Sequence, residues 1–129
     1  MKKNGFTLVE LLATIIILAV VSLITVPIIN NSIESSKRES FEVGISHLIV
    51  ALQNDQATYN FKTRSYTFPL SASSTLKMDG DISDWEGTAS IDEEGKIELA
   101  IYSNGYCASK EKTDFNTEIS KKDRSECLN

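Results

Sequence analysis

An apolar run from Phe6 to Ile29, interrupted by a single carboxylate at Glu10, constrains this chain more than any other feature. The run is 24 residues long. As a helix rising 1.5 Å per residue it spans roughly 36 Å, enough to cross a bilayer with some tilt. A carboxylate in such a helix costs roughly 2.5–3.5 kcal/mol near the bilayer centre and less near a helix end. Glu10 is therefore expected to have a partner and a task. Ahead of the run stands a five-residue basic leader, Met1-Lys2-Lys3-Asn4-Gly5. A secretory signal peptide would have an apolar region of about 7–15 residues and then a small-x-small cleavage site. This run is longer, and Ile28-Ile29-Asn30-Asn31 follows it. No cysteine stands at its end to accept a lipid. An ordinary single-pass anchor stays open. In either case Lys2 and Lys3 stay on the cytoplasmic side and the C-terminal bulk is exported, by the positive-inside rule.

The side chains sum to −5; without Lys2 and Lys3 the 13 basic residues become 11 against 18 acidic ones, or −7. An acidic chain argues against polyanion binding over its whole surface. The two cysteines, Cys107 and Cys127, both lie near the C-terminus. Beyond an export signal an even pair reads as one disulfide, worth roughly 3 kcal/mol in the chain-entropy model; in the cytosol it would read as two free thiols.

The helix is expected to continue past the apolar run. Phe41, Ile45, Leu48 and Leu52 recur on one helical face, and Glu34, Lys37, Arg38, Glu39, Glu42 and Gln53 occupy the other. One helix over about 6–57 follows, apolar in its first half and amphipathic in its second. Residues 58–84 are turn-rich, with Pro69 and Asp79-Gly80-Asp81, and read as a connecting loop with at most a short strand. Within 85–109, strands are expected at Thr88–Asp92, Lys96–Ser103 and Tyr106–Ser109. Glu93-Glu94-Gly95 and the hairpin signal Asn104-Gly105 form the turns between them. Ile97, Leu99 and Ile101 alternate with Glu98 and Ala100, so one face packs inward. The fold expected is α+β, with a small antiparallel meander covering the helix stripe. Residues 110–129 read as charged and turn-like, tied down by the cysteines.

The N-terminal residues Gly5, Phe6, Thr7, Leu8, Val9, Glu10 and Leu11, after the short basic leader and before the apolar helix, resemble the type IV pilin and pseudopilin family in order and spacing. The resemblance covers about residues 2–29; beyond it only the order of elements agrees. It implies a precursor whose leader, residues 1–5, is removed by a membrane prepilin peptidase cutting between Gly5 and Phe6. The new amine of Phe6 is then methylated. It also implies that residues 6–29 anchor the precursor in the membrane and later form a filament core, with 30–129 as the exported globular part. Glu10 would meet the positively charged amine of a neighbouring subunit and set register and orientation. Pro27 would interrupt the helix, and relatives are often locally unwound before it. Many relatives have a glycine eight residues upstream, where this chain has Ala19. Partners implied are the peptidase, other copies and related pilins, and a membrane assembly platform. The uses implied are adhesion, motility, DNA uptake or secretion, and a body subunit is favoured over a tip subunit because Glu10 is present.

Other residues could hold chemistry. Tyr59 to Phe68 interleaves four aromatics with Lys62 and Arg64, a pattern that can stack single-stranded nucleic acid but equally covers a helix. Asp79, Asp81 and Asp84 could offer oxygens to a cation or form a solvated acidic turn. His47, the only histidine, is expected to be structural. No nucleophile–base set, zinc spacing or phosphate loop is legible, so neither an active site nor a cofactor is expected. The rival reading is a membrane-anchored surface binding domain that never polymerises.

Overall fold

The computed structural model describes residues 7–129. The expected processing junction, Gly5 and Phe6, lies outside the described residues. The chain forms two compact units, one ending at Lys37 and one from Arg38 to Asn129. A long helix, α1 (Leu8–Thr58), is followed by β1 (Arg64–Phe68), β2 (Glu86–Ile91), β3 (Ile97–Ser103), β4 (Tyr106–Lys110), β5 (Glu118–Lys121) and a single helical turn, α2 (Arg124–Cys127). The strands form an antiparallel meander in sequence order. The architecture is the expected α+β arrangement of a long N-terminal helix and an antiparallel sheet.

The second unit is built on the α1 stripe. Phe41, Ile45, Leu48 and Leu52 are buried against the inward side chains of the strands, among them Phe68, Ala89, Ile91, Leu99, Ile101 and Ala108. The alternation of buried and less buried residues along β3 places Ile97, Leu99 and Ile101 on this inner face. Full burial of each such side chain is worth about 1.5–3 kcal/mol. The loop before β2 contributes Leu76 and Trp85 to the same core. Trp85 meets Phe41 edge-on at a centroid distance of 5.7 Å and an 80° interplanar angle, and Phe68 at 5.7 Å and 51°. Its indole reaches the helix because residue 44 has no side chain. A Cβ on Gly44 would stand 2.8 Å from Trp85 Cζ2 and 3.2 Å from Cη2.

The sheet has five strands, two more than the three expected. β1 arises within the segment read as a loop, and its Tyr66 and Phe68 alternate with Ser65 and Thr67 as a half-buried strand requires. β5 and α2 replace the expected turn-like C-terminal stretch. β5 has one apolar residue, Ile119, in four, and its strand state comes from ladder pairing to β4 rather than from its own periodicity. Both added strands are short, polar sheet edges, which discourages pairing with other chains. The expected turns are present. Asn104 and Gly105 join β3 to β4, both in the left-handed region (φ 49° and 88°). Asp92 caps the β2–β3 turn, accepting hydrogen bonds from the amides of Glu94 (3.0 Å) and Lys96 (2.9 Å).

The end of α1 is secured by polar contacts that sequence reading missed. Phe61 N–H donates to Gln56 O at 2.9 Å while Asn60 and Phe61 take positive φ, a left-handed helix termination. One turn earlier, Asp55 is buried. Its carboxylate accepts from Tyr66 Oη (2.5 Å), Arg64 Nε (3.0 Å) and Thr75 Oγ1 (3.2 Å). Arg64 also donates to Tyr66 Oη (3.0 Å) and Thr75 Oγ1 (2.8 Å). The network joins α1, β1 and the following loop. Burial, and then its bond to Asp55, hold the Tyr66 phenol above the ordinary tyrosine range; Asp55 and Tyr66 raise the Arg64 guanidinium.

Three outcomes follow, all read on the full chain in detergent with the fluorescence of its single tryptophan. Gly44→Ala, which in an open helix would gain about 1 kcal/mol, is expected instead to lose about 1–2 kcal/mol, because overpacking against a rigid ring costs typically 1–3 kcal/mol. An unchanged or raised denaturation midpoint would count against the packing described. Asp55→Ala is expected to cost about 2–3 kcal/mol, since it leaves Arg64, Tyr66 and Thr75 without their shared acceptor. The raised Tyr66 group contributes stability that is complete below the ordinary tyrosine value of about 10 and is lost as pH rises through the folded-state value. Tyr66→Phe is therefore expected to flatten the alkaline limb of a stability–pH profile.

Candidate functional site

The chemistry singled out by the sequence begins at the first turn of α1. Thr7 and Glu10 form a reciprocal capping box. Glu10 N–H donates to Thr7 Oγ1 at 3.2 Å, and Thr7 N–H donates to Glu10 Oε2 at 3.2 Å. Two helix-start amides are thereby satisfied. The pattern Thr-x-x-Glu before an apolar run was legible as a capping signal, yet the sequence reading sought the partner of Glu10 only in the amine of a neighbouring subunit. The carboxylate thus has a partner within its own chain. Oε2 is engaged with Thr7, and the positive end of the helix lies beside it.

Past this turn the helix is clothed in hydrocarbon. Every residue from Leu8 to Ile29 is exposed, Leu8 to 84%. By length and composition the helix could cross a membrane. The three hydroxyl residues of the span do not break this apolar surface, because each donates to the carbonyl four residues back. Thr14 reaches Glu10 O (2.8 Å), Ser22 reaches Leu18 O (2.7 Å) and Thr25 reaches Val21 O (2.7 Å). Satisfaction inside the same helix is what a lipid environment demands.

Pro27 lies inside α1, which continues unbroken through it to Thr58. Proline removes one amide donor and strains one turn, and a helix held on both sides by regular bonding passes through such a position.

At the other end of the chain Cys107 and Cys127 are joined, with Cα atoms 5.6 Å apart. Cys107 lies in β4 on the sheet face turned away from α1, so the bond folds the C-terminal segment over that outer face. Leu128 then approaches β2. Gly87 (φ +129°) is required there, since a Cβ would stand 1.9 Å from Ala100 O and 3.0 Å from Leu128 Cδ2.

The remaining candidates separate. Asp79, Asp81 and Asp84 are all exposed. Asp81 accepts from Ser83 Oγ (2.6 Å) and Ser83 N (3.1 Å), which hold its carboxyl below the usual range. Among the described residues no group of three or more His, Cys, Asp or Glu could hold a metal ion. In the aromatic stretch, the Arg64 guanidinium stacks 4.1 Å from the Tyr59 ring centre while its Nε bonds Asp55. Phe68 is in the core. Arg64 and three of the four aromatics are thus engaged with the domain itself, as the helix-covering reading expects. His47 is exposed on α1.

No curated protein and no solved structure matches the chain. A family-model match falls on the segment where Glu10, its capping partner and the apolar helix meet. Residues 1–26 fit the family model of the prokaryotic N-terminal methylation motif, so the chain carries at its N-terminus the signature of type IV pilins.

Proposed function

We propose that this chain is the precursor of a type IV pilin-like filament subunit. It enters the cytoplasmic membrane through residues 6–29 with its C-terminus outside, is cleaved after Gly5, is methylated on Phe6, and then polymerises through its N-terminal helix into an extracellular filament. The observation that supports this most directly is the Thr7–Glu10 capping box at the head of an exposed apolar helix, within the matched methylation motif. In a monomer the box gives Glu10 a neutral partner. In a filament core a neighbour's Phe6 amine would give it a charged one. A paired charge in an apolar setting is far less costly than an isolated one, and exchange of the partner would bind assembly to a single register. Pro27 would serve assembly by providing a turn of α1 already short of one hydrogen bond. The domain acts as a building block, not as a catalyst. Its working partners are a prepilin peptidase, an assembly platform, and copies of itself or related pilins.

Processing is read by mass spectrometry of the N-terminal peptide from cells with an active prepilin peptidase. A methylated Phe6 start is expected; an intact Met1 start contradicts the proposal. The role of Glu10 is isolated by two variants, each supplied as the sole copy. Glu10→Gln keeps the capping box, since glutamine serves at that position, but removes the charge. Glu10→Ala removes both. Both are expected to insert and be cleaved normally while sheared filaments fall sharply. If Glu10→Gln makes filaments at the parental level, the carboxylate acts only as a cap. A parent chain that makes no filaments with the full machinery present would favour the anchored surface domain.

A further inference from the structure

The β3–β4 hairpin turns on Asn104 and Gly105, between the paired residues Ser103 and Tyr106. Both turn residues take positive φ, 49° and 88°, as a tight two-residue turn of this kind requires. The ladder bonds belong to the flanking pair, so the turn amides make none. Gly105 accepts from Lys122 N–H at 3.1 Å through its carbonyl, while its own N–H has no acceptor among the described residues. The Asn104 side chain is exposed, and its carboxamide bonds to no other described group. A Cβ at Gly105 would meet nothing within 4 Å. An electrophilic carbonyl carbon and an unengaged amide nitrogen thus stand in adjacent residues with open space beside them.

No other asparagine that is followed by a described residue offers this combination. Asn30, Asn31 and Asn54 lie in α1, where the next amide is held in the helix ladder. Asn60 precedes Phe61, whose N–H donates to Gln56 O at 2.9 Å. Asn116 is exposed on the loop between β4 and β5, but the branched Cβ of Thr117 crowds the nitrogen that follows it.

We infer that Asn104 is a self-modification site, where a succinimide forms with Gly105 and opens to aspartate or isoaspartate. The Gly105 nitrogen attacks Asn104 Cγ. The bond between that nitrogen and Cγ forms, the bond from Cγ to Nδ2 breaks, and ammonia leaves with the proton of the Gly105 nitrogen. Solvent water then adds to one of the two ring carbonyls. Opening at Cγ gives aspartate; opening at the backbone carbonyl gives isoaspartate and routes the chain through Cβ. The sum is an exchange of water for ammonia, with nothing oxidised or reduced. Ring closure needs a rotation about the Asn104 Cα–C bond, and the missing side chain at residue 105 leaves room for it. Aspartate keeps the turn, because Asp-Gly suits the same geometry, and adds a negative charge at the hairpin tip. Isoaspartate adds a backbone carbon to a two-residue turn, which then cannot keep both the Ser103–Tyr106 pairing and the bond from Lys122 to Gly105. The site needs no partner and does not depend on the filament reading.

The test holds the full chain, purified in detergent, folded in mildly alkaline buffer and samples it over time by peptide mapping. Aspartate and isoaspartate are expected to accumulate at residue 104 ahead of every other asparagine followed by a described residue. Isoaspartate is read by transfer of a labelled methyl group from an isoaspartyl methyltransferase to the peptide that contains residue 104. Reading that peptide alone keeps out Asn4, which also precedes a glycine and lies outside the described residues. Asn104→Gln, whose longer side chain must close a larger and slower ring, is expected to lose the methyl signal in this peptide. A parallel sample in denaturant gives the behaviour of the same peptide without the fold. Absence of conversion at residue 104 in the folded sample overturns the inference, and conversion in the denatured sample alone would show that the turn protects the pair. Conversion led by another of the compared asparagines, or a methyl signal that survives Asn104→Gln, overturns it as well.

Discussion

Coverage of one face of α1 is the interaction on which the globular unit depends. Phe41, Ile45, Leu48 and Leu52 form a stripe that no single helix can hide, and an uncovered stripe would forgo several kcal/mol of burial. The strands supply the broad cover, and Trp85 closes the remainder from the loop before β2. That closure depends on an absence, the missing Cβ at residue 44. A glycine inside a helix is ordinarily a cost of about 1 kcal/mol relative to alanine. Here the same position lets an indole between two phenylalanines reach the helix backbone, so a local weakness is exchanged for a packed core.

Polar groups in this protein are satisfied within its own chain, along the apolar span as in the domain. In the apolar span each hydroxyl bonds to its own helix, and Glu10 and Thr7 cap one another. In the domain, Asp55 gathers a guanidinium and two hydroxyls from neighbouring segments. No buried side-chain nitrogen or oxygen among the described residues is left without a partner. A carboxylate is the common element. In both places it sits where one side chain can order several donors at once.

Strongly periodic features were legible in the sequence. The stripe at 41, 45, 48 and 52, the inward alternation of β3 and the Asn104-Gly105 hairpin appear in the structure because local spacing dictates which face each residue takes, and the cysteine pair, read from its even number beyond an export signal, is joined. What escaped reading depends on partners distant in sequence. β5 is a strand because β4 offers it a ladder, not because Glu118-Ile119-Ser120-Lys121 alternates. The Asp55 network joins residues 9, 11 and 20 positions apart, and no local pattern announces it. The need for a glycine at 44 is likewise set from a distance, by the Trp85 indole. At the candidate site the Glu10 motif is local and was plain, as the reciprocal Thr7–Glu10 bonds span only three residues.

The bond between Cys107 and Cys127 has a consequence for survival among proteases. It encloses β5 and the exposed loop around Phe115, the part of the domain with the most accessible backbone and the least core. Such stretches are where proteases cut first. A single cut anywhere between the two cysteines would leave both pieces covalently joined. The segment that faces the surroundings most openly can thus be nicked without being shed.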